Sequence, residues 1–214
     1  MLKNATRFLP VIGLLVTAPL VASGCGGGSS TGPAASASSS AATGAAAAPE
    51  GASALAADAK SAATGDVPDT QNFLTVTARR ARISMLYPEG WTVREAPSGV
   101  SIADKNNLVH VSVASGAAPT AASVDAQLAS LKRSTPGLKA TAAHAFALNS
   151  GPAVKATYTT LSAPNAVTGK QIVLTVDRYV ISHAGRVAVV DLGTPVGVDN
   201  VDAYRRMIES FKWL

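Results

Sequence analysis

The stretch from Gly26 to Thr70 is the strongest constraint on what this chain can fold into. It consists almost entirely of Gly, Ala, Ser, Thr and Pro, contains no aromatic residue, and has Leu55 and Val67 as its only larger aliphatic side chains. So little apolar surface cannot offset the entropy of ordering the segment, which is therefore expected to be a flexible tether. As a coil of about 45 residues it would span roughly 35–40 Å. The Ala-rich run over 54–63 favours helix locally, but the glycines and prolines around it oppose persistence. The fold must then be built from the C-terminal part of the 214 residues, which leaves room for one domain of ordinary size.

The N-terminus carries an address. Lys3 and Arg7 precede an apolar run from Phe8 to Ala22, followed by Ser23-Gly24-Cys25. Basic, apolar and small residues in that order are the pattern of a secretory signal peptide. The run is shorter than the roughly 20 residues needed to span a bilayer, and Pro10 and Pro19 interrupt it. Leu20-Val21-Ala22-Ser23-Gly24-Cys25 resembles the lipobox of bacterial lipoproteins, with Ala22 where leucine is commoner. That resemblance implies cleavage before Cys25 and attachment of diacylglycerol to its thiol, and two acyl chains make a stable anchor. It implies a membrane-bound chain on the extracytoplasmic side. Gly26 supplies no acidic signal for retention at an inner membrane, a cue that matters only where there are two membranes. Cys25 is the only cysteine, so an internal disulfide framework and a cysteine-based zinc site are excluded. The expected organisation is a signal peptide over 1–24, a lipidated cysteine and tether over 25–70, and a domain over 71–214.

From Phe73 the pattern is that of short strands. Ile83, Met85 and Tyr87 recur at period two, Pro88-Glu89-Gly90 turns the chain before Trp91-Thr92-Val93, and Pro97-Ser98-Gly99 turns it before Val100 and Ile102. After Asp104-Lys105-Asn106-Asn107 the alternation is cleanest, with Val109, Val111 and Val113 opposite His110 and Ser112. A helix follows, with Ser123 as the expected N-cap, Asp125 in the first turn and Val124, Leu128 and Leu131 on one face, ending at Thr135-Pro136-Gly137. Strand patterns resume over 138–148, 153–160, 172–182 and 186–194, with His183-Ala184-Gly185 turning the last pair. A final helix opens near Asp199-Asn200, with Val201, Tyr204, Ile208 and Phe211 as its apolar stripe. Four strands, a helix, four strands and a helix, with helices covering faces of the sheet, give an α+β sandwich with a largely antiparallel sheet.

These pieces are similar to the PsbP-like domain, which also occurs in small lipoproteins of the LpqN and DcrB kind. The resemblance rests on Tyr87-Pro88-Glu89-Gly90-Trp91 after a strand, the central helix, and the terminal hairpin leading to a helix that ends Glu209-Ser210-Phe211-Lys212. It covers about Phe73 to Leu214. Membership would imply an α/β/α sandwich and a noncatalytic role in binding or assisting other proteins at a membrane, with no active-site residues to transfer. Trp91 and Phe211 read as core anchors.

Catalytic patterns are sparse. There is no G-x-S-x-G elbow, no S-x-x-K with its companion motifs, no H-E-x-x-H, EF-hand loop, Walker A or dinucleotide fingerprint. His110, His144 and His183 are far apart in sequence, and no cofactor or metal is expected. Asp177 and Asp191 stand where they could approach across the last hairpin, an arrangement that would suit glycosidase or metal chemistry, but Arg178 beside Asp177 favours solvated carboxylates. Charge divides with the organisation. The tether has Lys60 against Glu50, Asp58, Asp66 and Asp69, whereas from Gln71 onward 15 Lys+Arg face 9 Asp+Glu. A basic tethered domain favours anionic lipid or a polyanionic polymer. Arg79-Arg80-Ala81-Arg82 is the one dense cluster, and without interleaved aromatics, on an exported chain, it does not indicate nucleic acid. The expected function is a lipid-anchored binding or accessory module for an envelope protein, polymer or small ligand; the alternative is an envelope hydrolase or carbohydrate-active enzyme of unfamiliar type.

Overall fold

The computed structural model describes residues 65–165 and 167–214. The signal peptide, Cys25 and the tether as far as residue 64 lie outside the described residues. The described chain forms two antiparallel sheets and two helices. Strands β1 (Phe73–Ala78) and β2 (Ile83–Pro88) make a small sheet with β11 (Lys212–Trp213), in the order β1-β2-β11. The large sheet holds β3 (Thr92–Ala96), β4 (Gly99–Asp104), β5 (Asn107–Ser115), β6 (Lys139–Ala140), β7 (His144–Leu148), β8 (Gly151–Leu161), β9 (Val173–His183) and β10 (Arg186–Pro195). Its order is β3-β4-β5-β10-β9-β8-β6, with β7 also on β8. Helix α1 spans Ala121–Ser134 and α2 spans Val201–Glu209.

The period-two pattern becomes two cores on opposite faces of the large sheet. One face contributes Val109 and Val111 of β5, Ala188, Val190 and Leu192 of β10 and Ile181 of β9, and packs against Ile83 and Met85 of β2 and Tyr204, Met207 and Ile208 of α2. The other contributes Val154 and Ala156 of β8 and Val176 and Val180 of β9, under Val124 and Leu128 of α1. A helix therefore lies on each face, giving the α/β/α layering. Each large aliphatic taken fully out of water contributes about 1.5–3 kcal/mol, an upper figure because unfolded chains already bury part of it. Trp91 and Phe211 belong to the first core.

Local chemistry fixes the connections. Ala184 and Gly185, between β9 and β10, both have positive φ, 48° and 74°, the backbone that a two-residue hairpin turn matching strand twist requires. Gly99 has no such φ, but a Cβ there would sit 1.9 Å from the carbonyl oxygen of Val111, so only glycine fits.

Several expectations need correction. Five strands rather than four precede α1, because β1 and β2 form a hairpin of their own. The N-cap of α1 is Thr120, not Ser123: Thr120 is extended, its hydroxyl accepts the Ser123 N–H at 3.1 Å, and the Ser123 hydroxyl accepts the Thr120 N–H at 2.9 Å. Asp125 then falls beyond the first turn, and its carboxylate accepts the Ala143 N–H at 2.9 Å. The expected strand over 138–148 is split into β6 and β7. The register moves from Ala140↔Tyr158 to His144↔Lys155, so one extra residue bulges out at 141–143. Val201 is 69% exposed, since a helical side chain covers the turn before it and Val201 opens the helix. Phe211 packs from beyond the helix end, and Lys212–Trp213 form a strand rather than its last turn.

The domain also begins earlier than residue 71. Val67 is in the first core, and its N–H donates to the Asn200 side-chain oxygen at 2.8 Å. The Asn200 amide nitrogen donates to Gly65 O at 3.1 Å, to the Asn107 side-chain oxygen at 3.1 Å and to Thr194 Oγ1 at 2.8 Å. Asn107 also binds Gly65 O, and the Tyr204 hydroxyl donates to Gly193 O at 2.6 Å. Composition hid this because the anchoring partners lie more than forty residues away in sequence.

Candidate functional site

The antiparallel registers carry one row of side chains across five strands of the large sheet: Arg94, Ser101, His110, Asp191 and Arg178 are successive cross-strand partners. All lie on the same face as α1, whose Val124 and Leu128 pack with side chains of β8 and β9, and toward the far edge of the sheet Arg94 and His110 are exposed. Within the row, Ser101 Oγ and His110 Nδ1 are 2.9 Å apart. Asp191 is buried and accepts two bonds from Arg178, Nε to Oδ1 and a terminal nitrogen to Oδ2, each 2.7 Å. The guanidinium also lies 5.3 Å from the Tyr158 ring centre. Burial opposes the charge on Arg178, yet the bonds and field of Asp191 outweigh it and raise the pKa further. Burial, reinforced by the Asp191 charge, pushes the Tyr158 hydroxyl up to about 12.

Asp177 belongs to the opposite face. Its neighbour Arg178 pairs with Asp191, whereas Asp177 itself stands across from Leu192, and adjacent residues of a strand point to opposite sides. There Asp177 accepts the Thr157 hydroxyl at 2.6 Å and the Lys155 ammonium at 2.9 Å. Lys155 lies 5.2 Å from the Tyr179 ring centre. Burial works against its charge, but Asp177 and Tyr179 prevail and raise its pKa. The two carboxylates flagged by sequence thus sit on opposite sides of the sheet and cannot flank one glycosidic bond. Nor are they solvated edge groups; each is held by a cation.

The histidines do not converge: His110 is in the polar row, His144 is exposed on β7, and His183 at the end of β9 stacks on Trp213 at 6.1 Å. Among the described residues no group of three or more His, Cys, Asp or Glu could hold a metal ion. Two clefts lie at the end where the tether joins. One, of about 560 Å³, is lined by Asp66, Asp69, Asp199, Asp202, Phe73 and Arg206; the other, of about 290 Å³, by Glu89, Trp91, Lys105 and Asn107 among others. Neither contains Ser101 or His110. That serine and histidine are within reach of each other on open sheet, and the carboxylate across from His110 is already committed to Arg178.

Sequence inspection missed Ser101 and Arg178 as partners, although the signal was present. A turn at Lys105-Asn106 puts Ser101 opposite His110, and a two-residue turn at Ala184-Gly185 puts Arg178 opposite Asp191.

No family model matches the chain, and no curated protein matches it. Among solved structures, the solution structure of cyanobacterial PsbP (CyanoP) from Synechocystis sp. PCC 6803 aligns with a TM-score of 0.51 at 15% identity, covering 70% of this chain and 98% of that one. The chain has a PsbP-like fold. The Ran-binding protein Mog1p of Saccharomyces cerevisiae aligns with a TM-score of 0.46 at 9% identity, over 67% of this chain and 96% of its own.

Proposed function

We propose that this chain is a lipid-anchored, extracytoplasmic binding or accessory module that acts on a protein partner or envelope component rather than on a bond. The observation that carries this reading is the disposition of the acid–base candidates. Asp177 and Asp191 are on opposite faces, each engaged by a cation, and they offer no paired reacting groups around a common space. The lipobox-like Leu20–Cys25 and the Gly/Ala/Ser composition of the tether support the anchored placement.

Metabolic labelling with a lipid precursor tests the anchor: label should enter the parent chain and be lost in Cys25→Ala, and equal label in both refutes it. In-cell crosslinking of the anchored chain then identifies what the domain touches. One observation favours the hydrolase alternative, the Ser101–His110 contact at 2.9 Å. Covalent capture of a fluorophosphonate probe by the parent chain, abolished in Ser101→Ala, would decide for that alternative.

A further inference from the structure

The Arg79-Arg80-Ala81-Arg82 cluster has no aromatic neighbour along the chain, but the fold brings it one. The turn after β1 holds these residues, and Arg79, Arg80 and Arg82 are exposed. The Arg186 side chain, opening β10, donates to the Ala81 carbonyl and lies 4.8 Å from the ring centre of Trp213 in β11. The Leu214 N–H donates to Arg82 O at 2.9 Å, which sets the last residues against the same turn. Lys212 is exposed, Trp213 is half-buried and Leu214 is 50% exposed. None of these five cations forms an ion pair with the described residues.

The opposite end of the sheet is acidic, with Asp66, Asp69, Asp199 and Asp202 around the larger cleft. Strand β10 runs between the two ends, and its eight steps from Arg186 to Thr194 span about 27 Å. That exceeds the screening length of about 8 Å at physiological salt, so the acidic end does not cancel the basic one.

We propose that the basic end docks on an anionic lipid bilayer, with Arg79, Arg80, Arg82, Arg186 and Lys212 facing phosphate-bearing headgroups and Trp213 and Leu214 at the interface. Charge complementarity supplies the attraction. The choice of a bilayer over a soluble polyanion follows from the indole and leucine set among the cations. Such side chains gain from the boundary between headgroup and acyl chain, whereas a hydrated polymer offers them little. Docking rests on the anchored-module reading only for what brings the domain near a membrane; in vitro it is independent of Cys25.

The full chain has two tryptophans, so Trp91→Phe leaves Trp213 as the sole reporter. Vesicles of brominated phosphatidylglycerol should quench its emission, and vesicles of brominated phosphatidylcholine should not. In that background, neutralising Arg79, Arg80 and Arg82 to Gln should weaken vesicle binding about five-fold per arginine, on the order of 100-fold for all three. Removing the same number of charges at Lys132, Arg133 and Lys139 should leave binding unchanged. Equal quenching by both lipids, equal binding of the arginine variant, or equal loss in the control variant overturns the proposal. Binding of soluble polyphosphate, read by calorimetry, without any quenching by vesicles would also overturn it, assigning the surface to a polymer.

Discussion

Asn200→Ala should release the start of the domain before it unfolds the rest. Asn200 is 2% exposed, and its oxygen is the acceptor for the Val67 N–H. After truncation that N–H is buried with no partner, a penalty of about 1–3 kcal/mol. The other groups keep alternatives: Gly65 O still receives Asn107, and the Asn107 oxygen still receives the Thr194 hydroxyl. Their loss is thus partial, and the total should be about 2–3 kcal/mol, visible as a lower urea midpoint. The local signature is sharper. The Val67 amide should exchange far faster, and protease should cut within Gly65–Thr70 while the amides of β5 and β10 remain protected. Asn200→Asp restores the acceptor for Val67 but turns a carboxylate toward the oxygens of Gly65 and Asn107, so at neutral pH it should be no better than Ala. Protonation restores a donor, so its deficit should shrink as pH falls through the raised carboxyl pKa. Unchanged Val67 exchange and an unchanged urea midpoint in Asn200→Ala would refute the view that this side chain pins residues 65–70.

Alkali should be more damaging than sequence alone implies. Burial raises the pKa of Tyr158, to about 12, and of Tyr179 and Tyr204, and Lys155 is raised by Asp177 and Tyr179 against its own burial. The folded state then holds more protons than the unfolded chain above about pH 10, so stability is complete below that pH and falls as pH rises toward 12. Tyr158 alone accounts for about 2 kcal/mol after allowance for solvent screening, and a flat denaturant midpoint between pH 9 and 12 would contradict this. Across the polar row, Asp191→Ala leaves Arg178 largely buried without its partner and should cost about 3 kcal/mol, whereas Asp191→Leu with Arg178→Met should recover most of it. A double variant as unstable as the single one would count against the account given for this pair.

The strands and the last hairpin were legible because their causes are local: alternating valines, and Ala184-Gly185 where both residues take positive φ. The bulge at 141–143 was not, since it is a mismatch between β6–β7 and a strand still to come in the sequence. Strand β11 is two residues long, too short for any periodicity, and exists because Ser84 and Ile83 of β2 offer it an edge. The candidate carboxylates were rightly linked to the final hairpin, but a shift of one residue in register put them on opposite faces. Trp213 joined the arginine turn by a contact spanning most of the domain, which no window along the chain reveals.

The clamp around Asn107 and Asn200 has a mechanical consequence. The chain emerges at Gly65, at one end of the strands, while the Arg79–Arg82 turn is at the other. Both points lie on one run of backbone, residues 65–82, so tension between them is carried covalently along β1 and does not shear its ladder with β2, where six residues are paired. The bonds first in line are those that tie Gly65 and Val67 to Asn107 and Asn200. Once the asparagines let go, the load passes through the backbone of β1 to the arginine turn, and a tethered domain gripped at its basic end would come away from what holds it before its sheets come apart.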